Sequence, residues 1–312
     1  MKNFIKSILL FSSFLIVFYP VMLFVWGEFA PSSLKPNLNY PLGILGHQYS
    51  RLQEVKEINS VDILFLGSSL AYRGFDPRIF KANGITSFNL GSSNQTPIQT
   101  KVLLNRYLRQ INPKLIIYEV EPETFSIDGV ESALDIIAND KNDLYSLEMA
   151  GDLNHIKVYN TLIYALIRDA FGLNSSFKEP IIKGKDKYIS GGFVEKEIQF
   201  YKKVTNQPKT WNFNVTQFIA FNEIIKLIRE AKLKLILVNA PITPLLYKSY
   251  KNSSEFDSLM STKSDYYNFN EILQLNDSLH FYDAFHLNQD GVKLFDSKLI
   301  EIIKENKTRT QN

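Results

Sequence analysis

Short apolar runs alternate with amphipathic segments along most of this chain, and this alternation limits the folds open to it. Several runs end in Gly or Pro, and the segments between them carry apolar residues at helical spacing. Strands that alternate with helices predict a parallel sheet covered on both faces. We therefore expect an α/β fold, a three-layer αβα sandwich around a central parallel five-stranded sheet. The predicted strands are 61–67, 85–91, 114–122, 233–241 and 280–285.

Helix start signals support the prediction that the segments between the strands are helices. Asp76 and Thr96 are each followed by proline, which pairs an N-cap residue with the residue favoured at the first helical position. The alternation stops after Pro122, so we interpret residues 123–210 as an insertion or cap, with a turn at 188–193. The predicted helices are 76–83, 96–112, 158–171, 215–232 and 288–306.

The amino terminus carries an uncharged apolar stretch, Ser7 to Trp26, that is long enough to cross a bilayer. Lys2 and Lys6 precede it, so the positive-inside rule places the amino terminus in the cytoplasm. A cleaved signal peptide is the alternative, but the stretch is longer than usual and no A-x-A site follows it. We expect an uncleaved anchor.

These features divide the chain into a transmembrane anchor (1–29, spanning at 7–26), a linker (30–58) and a globular domain (59–312). The expected location is the cytoplasmic (inner) membrane, crossed once, with the domain extracytoplasmic or periplasmic. The lipid bilayer is therefore one expected partner.

Composition excludes several classes of site. The formal net charge of +3 and the scattered basic residues give no reason to expect a nucleic-acid partner. The chain has no cysteine, which excludes disulfides, thiolate metal ligands and cysteine nucleophiles. Its four histidines lack metal-ligand spacing, so we expect neither a metal nor a cofactor.

Polar residues follow the predicted strands where a parallel sheet places its active site, beyond the carboxyl ends. Ser68 and Ser69 follow the first strand, and a second Leu-Gly-Ser-Ser, from Leu90 to Ser93, follows the next. Asp283 precedes His286 by three residues after the fifth run. A serine nucleophile needs a base, and the base needs a carboxylate to fix its tautomer. Alternatively, Asp283 caps the last helix and the first Gly-Ser-Ser is only a capped turn.

Four elements in order resemble the SGNH (GDSL-like) hydrolase superfamily. They are a strand ending in Gly-x-Ser, a second strand ending in the Asn-x-Gly segment "NLG", a helical carboxyl-terminal third, and a late D-x-x-H followed by a helix. The resemblance covers roughly 61–122 and 212–306. It is greatest to membrane-anchored members with "GSS" in place of "GDS", namely DltD-type proteins of D-alanyl transfer and relatives acting on O-acetylated exopolysaccharide. Such proteins have a flavodoxin-like sheet.

The resemblance implies that Ser69 is the nucleophile, His286 the general base and Asp283 its orienting carboxylate, with Ser68 replacing the family's Asp. It also implies an oxyanion hole made of the Ser69 N–H, the Gly91 N–H and an Asn side chain. The third block reads "EVEPETF" and lacks that Asn. Asn94 is the candidate replacement.

Further candidates for substrate binding are less specific. Arg73 can recognise an anionic or sugar group through its planar fork, or form an ordinary surface salt bridge. Glu119 and Glu121 either point away as a polar strand end or bind a polar substrate group. The aromatic residues of and after the insertion form either a carbohydrate platform or the core of the insertion: Tyr188, Phe193, Tyr201 and Trp211.

Together these residues predict a membrane-anchored serine esterase or O-acyltransferase. The expected substrates are acyl esters, with acetyl the expected group, on cell-envelope or secreted glycans. A membrane-bound O-acyltransferase is a further candidate partner. The missing third-block Asn favours the alternative, a non-catalytic SGNH-like accessory or binding module of a membrane acyltransferase system.

Overall fold

The computed structural model describes residues 1–202, 204 and 207–311. Its strands, in chain order, are β1 (Ile63–Leu66), β2 (Ser87–Asn89), β3 (Leu115–Glu119), β4 (Ile182–Lys183), β5 (Asp186–Ile189), β6 (Phe193–Lys196), β7 (Lys234–Asn239) and β8 (Asp265–Asn268). Its helices are α1 (Lys2–Phe29), α2 (Gln48–Glu54), α3 (Ser69–Gly74), α4 (Pro77–Ala82), α5 (Pro97–Ile111), α6 (Val130–Asn139), α7 (Leu144–Leu153), α8 (Ile156–Ala170), α9 (Val215–Glu230), α10 (Pro244–Tyr247), α11 (Ser253–Ser261), α12 (Phe269–Ile272), α13 (Asp277–His280) and α14 (Gln289–Gln311).

The central sheet is parallel, with strand order β2-β1-β3-β7-β8, which confirms the predicted α/β fold. Neighbouring residues of a strand point to opposite faces, so each strand supplies two cores. Leu64 of β1 packs with Leu104 and Phe221 of α5 and α9 on one face. Phe65 packs on the other face with Phe295 of α14. The sheet is therefore covered on both sides, and its carboxyl ends remain free to carry a site.

The fifth strand of the sheet differs from the prediction. Residues 280–285 do not join the sheet; α13 ends at His280, and Phe281 makes only an isolated bridge with Leu287. The fifth strand is β8, whose Tyr267 pairs with Val238 of β7. The sequence of β8, "DYYN", is polar and only partly buried at the sheet edge, so a search for apolar runs passes over it.

Residues 30–58, predicted as a linker, are in part a component of the domain. Helix α2 buries Arg51 and Leu52 completely. Arg51 Nε donates to the carbonyl of Gly192 at 2.9 Å, and its Nη1 donates to Gln48 at 2.7 Å. A buried guanidinium requires such partners, and the Gly192 contact holds α2 against the region that follows β5.

The predicted insertion, 123–210, contains α6, α7 and α8. It also contains an antiparallel sheet of order β4-β5-β6, which was not predicted from the sequence. The predicted turn lies at Gly191 and Gly192 between β5 and β6. The N–H of Asn89 donates to the carbonyl of Gly191 at 2.9 Å, so this turn protects the otherwise open edge at β2.

Helix α1 is long and apolar enough to cross a membrane. Its carboxyl-terminal half contacts α8 of the domain. Tyr19 Oη donates to Asn160 Oδ1 at 2.6 Å, and Tyr164 Oη donates to Glu28 Oε1 at 2.7 Å. Gly27 is required at this contact, because a Cβ there would lie 2.4 Å from the Tyr164 ring.

Candidate active site

Ser69 stands at the first turn after β1. The chain reverses at Gly67, whose φ of +138° and closeness to β3 both exclude a side chain, since a Cβ would lie 2.7 Å from that of Glu119. Ser68 then caps α3 by accepting a hydrogen bond from the N–H of Leu70 at 3.1 Å. Ser69 is thereby the first residue of α3, and its own N–H has no acceptor inside the helix.

His286 and Asp283 complete a hydrogen-bonded chain with Ser69. Ser69 Oγ lies 2.8 Å from His286 Nε2, although the two residues are 217 positions apart. His286 Nδ1 lies 2.9 Å from Asp283 Oδ2 and 3.0 Å from Oδ1. The ring of Tyr282 stacks on the imidazole with a centroid separation of 5.3 Å. The structure thus brings all three predicted catalytic residues into direct contact.

The surroundings of Asp283 favour its ionised form. Its Oδ1 accepts the N–H groups of Phe285 and His286, both at 2.8 Å. Burial opposes ionisation, but the contact with the His286 ring and these two backbone donors outweigh it, and the pKa of Asp283 lies below its usual value. An ionised Asp283 takes the Nδ1–H, which leaves Nε2 free to accept the Ser69 proton.

A cavity of about 590 Å³ opens beside Ser69 and His286 at the carboxyl ends of the strands. Carboxylate, amide, hydroxyl, ammonium and aromatic groups form its wall. Trp211 stacks on Tyr250 with ring centroids 3.8 Å apart. The lining residues are Ser69, Asn94, Glu121, Glu123, Ser126, Lys209, Thr210, Trp211, Asn212, Tyr250, Phe285 and His286.

Of the two predicted oxyanion-hole residues outside α3, Asn94 lines the cavity and Gly91 does not. Asn94 is exposed, has a left-handed backbone (φ +50°) and lines the cavity. Gly91 does not line it, and its N–H donates to Asn89 Oδ1 at 2.8 Å. That N–H is engaged inside the protein, so the expected Gly91 donor does not face a substrate in this structure.

Arg73 does not reach the cavity either. Its guanidinium forms a two-point pair with Asp186 of β5, at 2.7 and 3.1 Å. Arg73 is therefore an internal ion-pair residue that ties α3 to β5, rather than the expected substrate-binding group. Burial opposes ionisation of Asp186, but Arg73 and Lys196 together keep its pKa below the usual value.

We expect Arg73→Met to destabilise the protein by about 1–3 kcal/mol, because it leaves Asp186 without its closest cation. The remaining Lys196 contact at 3.2 Å limits the loss. Thermal or denaturant unfolding of the detergent-solubilised chain measures it. Lys114→Met is the matched control, since its pair with Asp62 is exposed and is worth less than about 1 kcal/mol. An equal effect of both variants would contradict this role for Arg73.

Glu119 and Glu121 both turn toward Ser68. Its Oγ lies 3.1 Å from Glu119 Oε2 and 2.8 Å from Glu121 Oε2. Glu119 is fully buried and stays on the inner side, whereas Glu121 lines the cavity. Burial, with the neighbouring charge of Glu121, raises the pKa of Glu119 well above its usual value. Burial raises the pKa of Glu121 to about 7.

Because the pKa values of Glu119 and Glu121 are raised, the folded protein should become less stable as pH rises. A carboxyl whose folded-state pKa is raised takes up protons on folding, so its stabilising effect is complete below about pH 4.5. The stabilising effect of Glu121 is lost as the pH rises to about 7, the folded-state pKa of its carboxyl. We expect the unfolding free energy to drop by on the order of 3 kcal/mol over this range. Unfolding curves between pH 5 and 7.5 measure it, and Glu121→Gln should flatten the slope. An unchanged slope in that variant would contradict the assignment.

Several residues that line the cavity were not predicted from the sequence. Tyr250, Glu123 and Lys209 carry no local pattern that marks them, and only folding brings them to Ser69. Of the aromatic residues considered for a carbohydrate platform, Trp211 lines the cavity. Phe193 is instead buried in the core that contains Phe65, and Tyr188 donates a hydrogen bond to Glu54. Within the described residues no group of His, Asp and Glu is arranged to hold a metal ion.

Comparisons with known proteins find similar solved structures but no matching family. No protein-family model matches the chain, and no curated protein matches it. One similar solved structure is a provisionally assigned acylhydrolase from Bacteroides fragilis NCTC 9343, at 11% identity and a TM-score of 0.41, covering 82% of this chain and 95% of that one. Another is a GDSL-like lipase from Bacteroides thetaiotaomicron VPI-5482, at 12% identity and a TM-score of 0.41, covering 83% of this chain and 98% of that one.

Proposed function

We propose that this protein is a membrane-anchored serine esterase or O-acyltransferase. The hydrogen-bonded chain from Ser69 through His286 to Asp283 carries this proposal. The 2.8 Å between Ser69 Oγ and His286 Nε2 suits proton transfer from a serine to an imidazole. The Asp283 carboxylate holds the imidazole in the correct tautomer. The order of motifs in the sequence, which resembles the SGNH superfamily, independently supports the same three residues.

The mechanism follows from this geometry. Ser69 Oγ attacks the ester carbonyl carbon while its proton passes to His286 Nε2. The tetrahedral intermediate collapses, and the alkoxide leaves with the proton that His286 returns. Water or a sugar hydroxyl then attacks the acyl-enzyme and gives its proton to His286. The acyl–oxygen bond to Ser69 breaks, and His286 returns that proton to Ser69 Oγ. Asp283 stabilises the imidazolium in both halves of the reaction.

The cavity wall suits an acyl ester carried on a sugar. Side chains of Glu123, Asn212 and Ser126 offer donors and acceptors for sugar hydroxyls. The stacked Trp211 and Tyr250 add apolar surface beside these polar groups. We therefore propose acylated glycans as the substrate class, with acetyl as the acyl group.

The proposed location is the outer side of the cytoplasmic membrane. Lys2 and Lys6 precede the apolar α1, so the positive-inside rule directs the domain outward. Glu28, just beyond the predicted span, accepts a hydrogen bond from Tyr164 of α8, which would hold the domain close to the bilayer surface. Envelope or secreted glycans are the acylated polymers within reach of a domain in that position.

Turnover of acetyl esters by the full-length chain in detergent micelles tests the proposal. A fluorophosphonate probe supplies a second readout, because Ser69 Oγ displaces fluoride from phosphorus and leaves a stable mass increment. We expect the increment on the peptide that contains Ser69. Absence of both turnover and labelling would contradict the catalytic assignment.

A second candidate, a non-catalytic accessory module of a membrane acyltransferase system, is favoured by one observation. The Gly91 N–H is engaged by Asn89, and β3 ends without the Asn that the resemblance leads one to expect. If this candidate is right, a folded Ser69→Ala variant restores full function to cells that lack the protein.

A further inference from the structure

The site contains fewer evident oxyanion donors than the proposed reaction needs. Attack by Ser69 places negative charge on the substrate's carbonyl oxygen, which preorganised donors must stabilise. The N–H of Ser69 at the start of α3 is one such donor. The N–H of Gly91 is turned to Asn89, and Glu121 follows β3 near the place where an amide is expected.

The hydrogen bonds around Ser68 limit where a proton can lie on the two glutamates. The hydroxyl has a single hydrogen, and its oxygen already accepts the N–H of Leu70. It nevertheless lies within hydrogen-bond distance of both Glu119 and Glu121. Ser68 can donate to only one carboxyl, so the other contact is a hydrogen bond only when that second carboxyl is protonated. The Ser68 N–H also donates to Glu119 Oε2 at 3.2 Å. The Ser68 hydroxyl can therefore donate to Glu121 Oε2, which leaves the other oxygen of a protonated Glu121 to donate elsewhere.

Glu121 is the member of the pair that faces the reaction space. It lines the cavity together with Ser69 and His286, whereas Glu119 is fully buried. The contact of Glu121 with Ser68, the cap of α3, places its carboxyl at the helix end that bears the Ser69 N–H. A second donor to the same oxyanion would come from this direction.

We propose that Glu121, as a neutral carboxylic acid, donates a hydrogen bond to the oxyanion formed when Ser69 attacks an ester. This inference rests on the proposed function. In this step Ser69 Oγ bonds to the carbonyl carbon, its proton passes to His286 Nε2, and the carbonyl π pair moves to oxygen. Glu121 keeps its proton and gives only the hydrogen bond. When the carbonyl re-forms, that hydrogen bond weakens again.

The charges around Glu121 favour its neutral form at moderate pH. Burial, with the nearby Glu123, raises the pKa of Glu121 to about 7, against the hydrogen bond from Ser68. Ionised Glu121 can only accept and would repel the oxyanion, so activity should fall as pH rises past this value. The titratable groups that face it across the cavity and from the strand are Glu119, Glu123, Lys209, Tyr247, Tyr250 and His286.

The test compares pH profiles of ester turnover for the wild type and Glu121→Gln in detergent. Glutamine is a permanent donor of the same shape. We expect this variant to keep kcat within about tenfold of the wild type and to lose the decline above neutral pH. Glu121→Ala should lower kcat by about 10²–10³-fold, the usual effect of removing one oxyanion donor.

Glu123→Gln is the comparison variant, since it removes another cavity carboxyl. It should keep the alkaline decline but move it to lower pH, because Glu123 contributes to the raised pKa of Glu121. The inference is overturned if folded Glu121→Gln retains the wild-type decline, or if it is as inactive as Glu121→Ala. Near-ultraviolet circular dichroism verifies folding. Failure of the proposed function is a separate result: Ser69→Ala would then turn over esters as fast as the wild type.

Discussion

Ser69→Ala should lower kcat for a model acetyl ester by on the order of 10⁴–10⁶-fold. The substitution removes the atom that forms the acyl-enzyme, and no neighbouring hydroxyl can replace it. Ser68 Oγ is the nearest candidate along the chain, but it is engaged by Leu70 and the two glutamates. The stability of the fold should change little, since Ser69 is partly exposed at a helix start. Initial rates at saturating ester, with the fluorophosphonate label as a second readout, measure the effect.

The repeated tetrapeptide offers a matched control for this substitution. Ser93 is the last residue of the second Leu-Gly-Ser-Ser, and its Oγ contacts Tyr72 Oη at 3.0 Å rather than the histidine. Ser93→Ala should keep both turnover and labelling. Equal activity of the wild type and the folded Ser69→Ala variant would end the catalytic interpretation and favour the accessory module.

His286→Ala should cost nearly as much as Ser69→Ala, because the two residues act as one unit. Without Nε2 at 2.8 Å, the Ser69 hydroxyl has no base to take its proton, and the leaving alkoxide has no acid. The double variant Ser69→Ala/His286→Ala should be no slower than either single variant by more than about tenfold. Rates of all three variants in the same detergent, at one pH, test this non-additivity.

His155→Asn is the control for a histidine substitution distant from the cavity. His155 caps α8 by accepting the N–H of Lys157, and asparagine can also cap a helix, so stability and turnover should both be maintained. Fully multiplicative losses in the Ser69/His286 double variant would mean that the two residues act independently. The hydrogen-bonded unit described above would then be wrong.

The fold could be predicted because its signals are local. Buried strands such as β1 and β3 are nearly continuous apolar runs, and helices such as α4 and α5 start with a cap residue followed by proline. The strand β8 could not be found in this way, because an edge strand is covered on fewer sides and tolerates polar residues. The run 280–285 has one buried aromatic, Phe281, that packs in the core without pairing in the sheet.

The identity of Ser69, His286 and Asp283 as candidates also came from local signals, a glycine turn after a strand and a D-x-x-H spacing. The distances between these side chains could not be predicted in this way, because Ser69 and His286 lie 217 residues apart and only the fold brings them to one edge of the sheet. Arg73 illustrates the opposite outcome. Its sequence context permits a substrate contact, but the hairpin strand β5 brings Asp186 to it and occupies the guanidinium.

The amino-acid sequence by itself determined the α/β class, the long apolar amino-terminal helix and the residue types available for acyl chemistry. Periodicity, capping and turn formation depend on a few neighbouring residues, and these can be read along the chain. Only the tertiary structure decided which polar groups face the cavity. It turned the Gly91 N–H inward to Asn89 and brought Glu121 beside Ser68. Such contacts depend on how the strands are ordered and on how deeply each carboxyl is buried, and neither quantity is encoded in any short segment.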